Sequence, residues 1–258
     1  MQQAPTERRP PGEACTSDDR TGAPLDRLAG DRHYARMVKL IFLCHRRPDI
    51  THERYAQLLL QGHVPIALRH HPTLRRYTVN IVERGPESEA ALDSIGELSF
   101  ESLADYRERL YDSADGQRIV AADVAGFMGG AHAYATTEVV QKSVAERPPG
   151  RRTAGTKMFC PLRRRPDLTH EQFVQHWQTV HVPLALAHHP HMTRYVTNIV
   201  DQRLSPEAPE WDGFAEITLD PTQPLFGTPE GERIVRDDIA RFIGHTFPYL
   251  VAEYVQRA

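Results

Sequence analysis

The sequence predicts an α+β fold built from two tandem β-α-β-β-α-β units of the ferredoxin-like type. Three observations predict it. Residues 46–83 recur as residues 164–201 at a constant offset of 118, with 21 identities in 38 positions. The match resumes downstream, where "DSIGELSF" pairs with "DGFAEITL", "GQRIVAADVAGFM" with "GERIVRDDIARFI", and "YATTEVV" with "YLVAEYV". Within each copy, the hydrophobic pattern runs strand, helix, strand, strand, helix, strand.

Each element has its own local reason. "MVKLIFLC" is an apolar run of strand length. Thr51, ahead of His52 and Glu53, is placed as a helix N-cap, with Tyr55, Leu58 and Leu59 following at helical spacing. "YTVNIV" and "IGELSF" alternate as half-buried strands do. "GQRIVAADVAGFM" carries Ile119, Val120, Val124 and Phe127 on one side of a helix, and "YATTEVV" is the last strand. Four strands with both helices on one face leave the other face bare, so a second sheet must cover it; the tandem copy supplies one. The boundaries follow: residues 1–36, rich in Pro, Arg, Gly and Asp, as a disordered tail; 37–142 as the first unit; the Pro/Gly/Arg-rich 143–155 as a linker; and 156–258 as the second unit.

Composition narrows the function classes. The chain has 258 residues, 40% of them apolar and 25% charged, with a net charge of −3. No apolar run is long enough for a membrane span, and a near-neutral charge argues against nucleic acid as a partner. Three cysteines without a CxxC pair indicate neither a disulfide framework nor a zinc cluster and fit a reducing, cytoplasmic setting. No GxGxxG, P-loop or Gly-x-Ser-x-Gly motif occurs, and the histidines lack zinc-protease spacing. Chemistry by side chains alone, with no organic cofactor and no metal, is the expectation. Haem stays open, because one axial histidine leaves no spacing signature.

The most unusual repeated words are "HVPIALRHHP" (63–72) and "HVPLALAHHP" (181–190). His63 and His181 fall near the end of the first helix of each unit, two residues before a proline. If the helix continues, His63, Ala67 and His70 share one stripe, as do His181, Ala185 and His188. An imidazole there is a candidate general base, or else a buried structural group; His70 and His188 abut a Pro turn and are weaker candidates for ligand contact. Strand parity groups Asn80 with Thr78 and Arg76, Tyr77 with Val79, and Glu97 with Ile95 and Ser99; the second unit repeats this with Asn198, Tyr195 and Glu216. Buried glutamates are costly unless paired. Glu97 and Glu216 are therefore either catalytic carboxyls working with the histidine or members of ion pairs, with Arg76 and Arg194 as the expected partners. Asn80 and Asn198 are candidates to polarise a carbonyl, Tyr77 and Tyr195 to donate to an enolate, and Trp177 to stack on an aromatic ligand.

The run "RRRPDLTHEQFVQHW", then "HVPLAL", "TRYVTNIV" and "DGFAEITL", resembles the EthD-type branch of the dimeric α/β-barrel superfamily. Both copies carry the pattern, although the first has Leu58-Leu59 where the second has His176-Trp177. The resemblance implies an intramolecular barrel, in a monomer with an internal pseudo-dimer or in a homodimer. It also implies an enzyme of specialised metabolism acting on a hydrophobic, aromatic or polyketide-like small molecule. Cyclisation, dehydration or decarboxylation would start from histidine-driven proton abstraction; cofactor-free oxygenation is the alternative, and a haem protein or non-catalytic binder the third. The second unit, with His176, Trp177 and His191 against Leu58, Leu59 and Thr73, is expected to hold the more active pocket, with His181 as its base.

Overall fold

The computed structural model describes residues 37–86, 91–144 and 146–258; the tail expected over 1–36 lies outside the described residues. The first unit runs β1 (Val38–Arg46), α1 (His52–Gln57), a π-helical turn (Leu58–His63), α2 (Val64–His70), β2 (Arg76–Arg84), β3 (Ser94–Phe100), α3 (Leu103–Glu108), α4 (Ala114–Ala125) and β4 (Met128–Ser143). The second runs β5 (Thr156–Arg164), α5 (His170–His176), a π-helical turn (Trp177–His181), α6 (Val182–His188), β6 (Met192–Arg203), β7 (Gly213–Leu219), α7 (Pro229–Phe242), β8 (Ile243–Thr246) and β9 (Tyr249–Arg257).

Within the units the strands pair β4-β1-β3-β2 and β9-β5-β7-β6. The unit edges then join, β4 to β6 and β2 to β9, and eight strands close into a barrel with short β8 appended to β5. The two sheets thus cover each other and also hydrogen-bond edge to edge. Closure removes the exposed edges that each unit alone would present. Where β4 is one long strand, Pro248, which has no N–H to donate, separates β8 from β9.

Caps and a proline shape the helices. Thr51 accepts from the Arg54 N–H, and Thr169 and Gln172 form a reciprocal capping box. Pro65 and Pro183 sit just after the π-helical turns. A proline cannot make the i→i−4 bond and its ring crowds the preceding turn; here the helix widens and continues.

The core has three layers. Beneath the helices of the first unit lie Leu40, Tyr55, Leu59, Ala67, Tyr77, Val79 and Phe127. Their counterparts in the second include Phe173, Trp177, Ala185, Tyr195, Ala215 and Phe242. The barrel interior is filled from both units, by Ile41, Leu43, Ile95, Tyr134, Phe159, Phe214 and Tyr249 at one part and by charged side chains at another. Alternation along β1 sends Leu40, Phe42 and Cys44 under the helices and Lys39, Ile41 and Leu43 into the barrel.

Candidate functional site

A cavity of about 230 Å3 lies between the sheet and helices of the first unit. Phe42, Cys44, Gly96 and Leu98 form its floor, Leu59, Ala67, Val120 and Val124 its apolar walls, and His63, His71, Tyr77, Tyr106 and Tyr111 its polar groups. Two substitutions relative to the second unit make the room. Leu59 stands where the second unit has Trp177, and Gly96 where it has Ala215.

His63 is the oriented group. Its Nδ1 lies 2.8 Å from Oδ2 of Asp123 on α4. A carboxylate at Nδ1 fixes the tautomer with the proton on Nδ1 and leaves Nε2 as the basic nitrogen. His71 Nδ1 lies 3.1 Å from the Leu110 carbonyl, so it donates there and likewise keeps Nε2 free. Burial pushes the His71 imidazole below its ordinary range, against the pull of the Leu110 hydrogen bond; it is neutral at pH 7. Burial also holds the Tyr77 phenol well above its ordinary range, keeping it a donor, and raises the Cys44 thiol to about 12, which makes it an inert thiol. The arrangement offers a carboxylate-held base, a second neutral imidazole and neutral phenols around an apolar space.

The second unit repeats the dyad without the space. His181 Nδ1 lies 2.9 Å from Asp238 Oδ2, and His176 Nε2 is 2.9 Å from the other oxygen. Trp177, with no exposed surface, donates its indole N–H to the Tyr195 hydroxyl at 3.0 Å and fills the volume under the helices. It packs so closely that a Cβ at Gly213 would collide with its ring. Trp177 and Tyr195, expected to line a ligand site, are core groups bonded to each other. The extra aromatic volume of the second unit, expected to make its pocket the more active, occupies that space instead.

Four other expected residues sit on the wrong side of the sheet for the histidines. Glu97 and Glu216 point into the barrel, where Lys39 Nζ lies 2.6 Å from each and Lys157 Nζ 2.7 Å from each. Burial alone would raise Glu216, but Lys157, Lys39 and Arg194 hold it well below the usual carboxylate range. These are ion-paired structural carboxylates, and their partners are lysines rather than the expected arginines. Asn80 and Asn198 donate to Glu97 (2.7 Å) and Glu216 (2.8 Å) in the same network. His70 and His188 also leave the site. His70 faces Asp112 at 3.0 Å, and each ring lies where a Cβ on Gly116 or Gly231, at the start of α4 or α7, would approach within 2.8 Å. His71, not His70, completes the stripe with His63 and Ala67.

Sequence reasoning missed Asp123 and Asp238. A signal existed: both copies carry an acid at the same place on the buried stripe of the second helix, between Val120 or Val235 and Phe127 or Phe242. It also missed Lys39 and Lys157, hidden in apolar strand runs.

A profile of the EthD domain matches residues 47–131 and 165–246, together well over half of the chain. The chain belongs to the EthD domain family. This tandem EthD chain has the dimeric α/β-barrel architecture within one polypeptide. Among solved structures it is similar to an anthrone oxidase-like protein at 10% identity and TM-score 0.54, covering 86% of this chain and 94% of that one. It is also similar to a candidate monooxygenase from Fusobacterium nucleatum subsp. nucleatum at 7% identity and TM-score 0.55, covering 87% and 95%. At such identities the likeness is one of fold. No curated protein sequence matches. No helix among the described residues is long and apolar enough to cross a membrane.

Two groups of the EthD chain bear on cofactors. His63 Nε2, at the wall of the cavity, has the chemistry of an axial haem ligand. The carboxylates Glu97, Glu216 and Glu253 cluster closely enough for a metal, yet Lys39 and Lys157 already stand among them at salt-bridge distance.

Proposed function

We propose that this EthD chain is an enzyme acting on a small aromatic or polyketide-like carbonyl compound in the first-unit cavity, with His63 as general base. The observation that carries the reading is the Asp123–His63 dyad opening onto an apolar, phenol-lined space. Nε2 of His63 takes a proton from the carbon alpha to the carbonyl, and the electron pair moves to the carbonyl oxygen as an enolate. A neutral phenol, Tyr77 foremost, donates a hydrogen bond to that oxygen. The Asp123 carboxylate stabilises the imidazolium that forms. A cavity of about 230 Å3 exceeds the roughly 150 Å3 that holds benzene and suits one ring with a short substituent. Cyclisation, dehydration and decarboxylation all proceed from such a carbanion, and we place the enzyme among lyases and cyclases.

A second reading shares the first step: the carbanion reacts with dioxygen in a cofactor-free oxygenation. The names of the two structural relatives, one oxidase-like and one a candidate monooxygenase, favour keeping it.

One experiment separates base, site and outcome. Aryl β-ketones are incubated with the protein in D2O, and deuteration of the alpha carbon is followed by NMR, in air and under argon. The expected result is exchange that persists under argon, is lost in His63→Ala and is retained in His181→Ala. Loss in His181→Ala with retention in His63→Ala would move the base to the second unit, and no exchange over the panel would leave a binding protein. Product that forms only in air selects the oxygenase.

A further inference from the structure

The barrel interior is built from two matching charge sets. The first unit contributes Lys39, Arg76, Asn80, Glu97 and Glu138, and the second Lys157, Arg194, Asn198, Glu216 and Glu253. In the first set, Arg76 Nη1 pairs with Glu138 at 2.9 Å. The second set cannot repeat that pair, because an arginine from the segment between the units intervenes. Arg147 Nε takes Glu253 at 2.7 Å, and Thr153 and Lys157 use its remaining acceptor capacity at 2.8 and 2.6 Å.

Arg194 is the group left over. It is only 6% exposed, and neither Nε nor Nη1 has a hydrogen-bond partner among the described residues. Glu216 interacts with its charge, but buried N–H groups left without acceptors are costly, and Arg194 has two of them. It lines a polar cavity of about 70 Å3 together with Arg76, Arg147, Arg257, Thr78 and Ser99. Glu97 and Glu138 also reach this cavity, but each is already held by Lys39, at 2.6 and 3.0 Å.

We infer that this end of the barrel is a binding site for a small oxyanion, with Arg194 as the anchoring cation. Arg76 and Arg147, half-buried, add positive charge on the solvent side. The volume is several times the roughly 10–15 Å3 that one water needs on this measure and suits a carboxylate of acetate size or an inorganic phosphate. Acetate is the smaller of the two and has a single charge to desolvate, so a monoanionic carboxylate is the better fit. The site lies inside the barrel, on the opposite face of the sheet from His63, and does not depend on the reaction proposed for that cavity.

The test measures thermal midpoints of the full chain against sodium acetate, sodium phosphate and sodium chloride, each titrated at matched ionic strength. Two variants go with it: Arg194→Met removes the anchor, and Arg147→Gln releases Glu253 to pair with Arg194 as Glu138 does with Arg76. The expected result is a saturable rise in the wild-type midpoint with acetate, a weaker one with phosphate, and none in either variant. A larger effect of phosphate would keep the site and change its preferred ligand. No saturable response in the wild type would mean that water alone fills the cavity, and equal responses in all three proteins would mean general salt effects; either overturns the inference. Should Arg194→Met fail to fold, a full response retained in Arg147→Gln overturns it as well.

Discussion

The cavity of the first unit can be closed with the protein's own second unit as the template. Trp177 fills the corresponding space there, with Phe173 beside it and Gly213 beneath it. The matching residues of the first unit are Leu59, Tyr55 and Ser94, and the Tyr55 hydroxyl is hydrogen-bonded to Ser94 at 2.7 Å. Leu59→Trp alone drives an indole against the Ser94 side chain, because even a Cβ at Gly213 would collide with Trp177. Overpacking of that kind costs about 1–3 kcal/mol. Adding Ser94→Gly relieves the collision but strands the buried Tyr55 hydroxyl, a further loss of about 1–3 kcal/mol. Tyr55→Phe removes that group. The triple variant should therefore recover the stability lost by the single, and the new indole can donate to Tyr77 as Trp177 does to Tyr195. An indole buries up to about 250 Å2. At about 25 cal/mol per Å2, each additional 40 Å2 of apolar surface withdrawn from water contributes ~1 kcal/mol. Urea midpoints give the stabilities, and titration with acetophenone followed by calorimetry reads the cavity. The expected pattern is binding in the wild type and none in the single or triple variant, with the triple at least as stable as the wild type. Turnover should fall at least about 100-fold, equivalent to about 2.7 kcal/mol of transition-state stabilisation. A stable triple variant that still binds acetophenone and turns over within threefold of wild type would refute both the cavity assignment and the inter-unit packing argument.

Asp123→Asn should lower kcat/KM by at least about 100-fold, the low end of the range for a positioned general base. Asp238→Asn should leave activity near wild type and cost about 1–3 kcal/mol of stability, because Asp238 accepts from both His176 and His181 inside the core. Lys39→Met strips one partner from Glu97, Glu138 and Glu216 at once. Breaking a buried pair costs about 3–5 kcal/mol, or roughly 6–20 °C in Tm for a domain of this size, and added salt should not restore it. His71, His181 and His189 are all pushed below the ordinary histidine range by burial. The unfolded chain takes up protons below about pH 6.5 where the folded chain resists, so stability is flat above that pH and falls as pH drops through it. Urea midpoints at pH 7.5, 6.0 and 5.0 check the slope, and a flat profile across that range would contradict it.

Much of the fold was legible because it rests on periodicity and on duplication. Two copies of one strand–helix order dictate two like sheets, and each sheet's bare face dictates the barrel. Strand parity was also right about which residues travel together: Asn80 and Glu97 share one network, and Tyr77 lies apart from both. Parity cannot say which face is which. For Glu97 the pattern leaves a catalytic role and an ion pair both open; with Asn80 it faces the side of the sheet away from the histidines, where lysines from β1 and β5 meet it. Those lysines are single polar residues within apolar strands, and no local pattern announces them because their partners lie up to 177 positions away. The one-residue shift from His70 to His71 arose similarly. His71 is the C-cap of α2, where the backbone leaves the helix (φ −108°, ψ 82°), so α-helical spacing no longer places its ring.

The location of the candidate site in the first unit was not legible for a more general reason. Functional groups were weighed by what they add, and the second unit has more of them: His176, Trp177 and His191. In a close-packed interior every added side chain also removes volume. Both units keep a histidine held by a helix carboxylate, at 2.8 Å in one and 2.9 Å in the other, so the dyad itself does not distinguish them. What distinguishes them is the absence of an indole at Leu59 and of a methyl group at Gly96, and missing volume leaves no letter in a sequence to read. The filled unit gains an indole–phenol hydrogen bond and a stacked aromatic core, with His176 and Phe242 centroids 4.8 Å apart. The open unit forgoes that packing. Because the two share a closed barrel, stability supplied by the filled half offsets the cost of holding a cavity in the other, a division that a single unrepeated unit has no means to make.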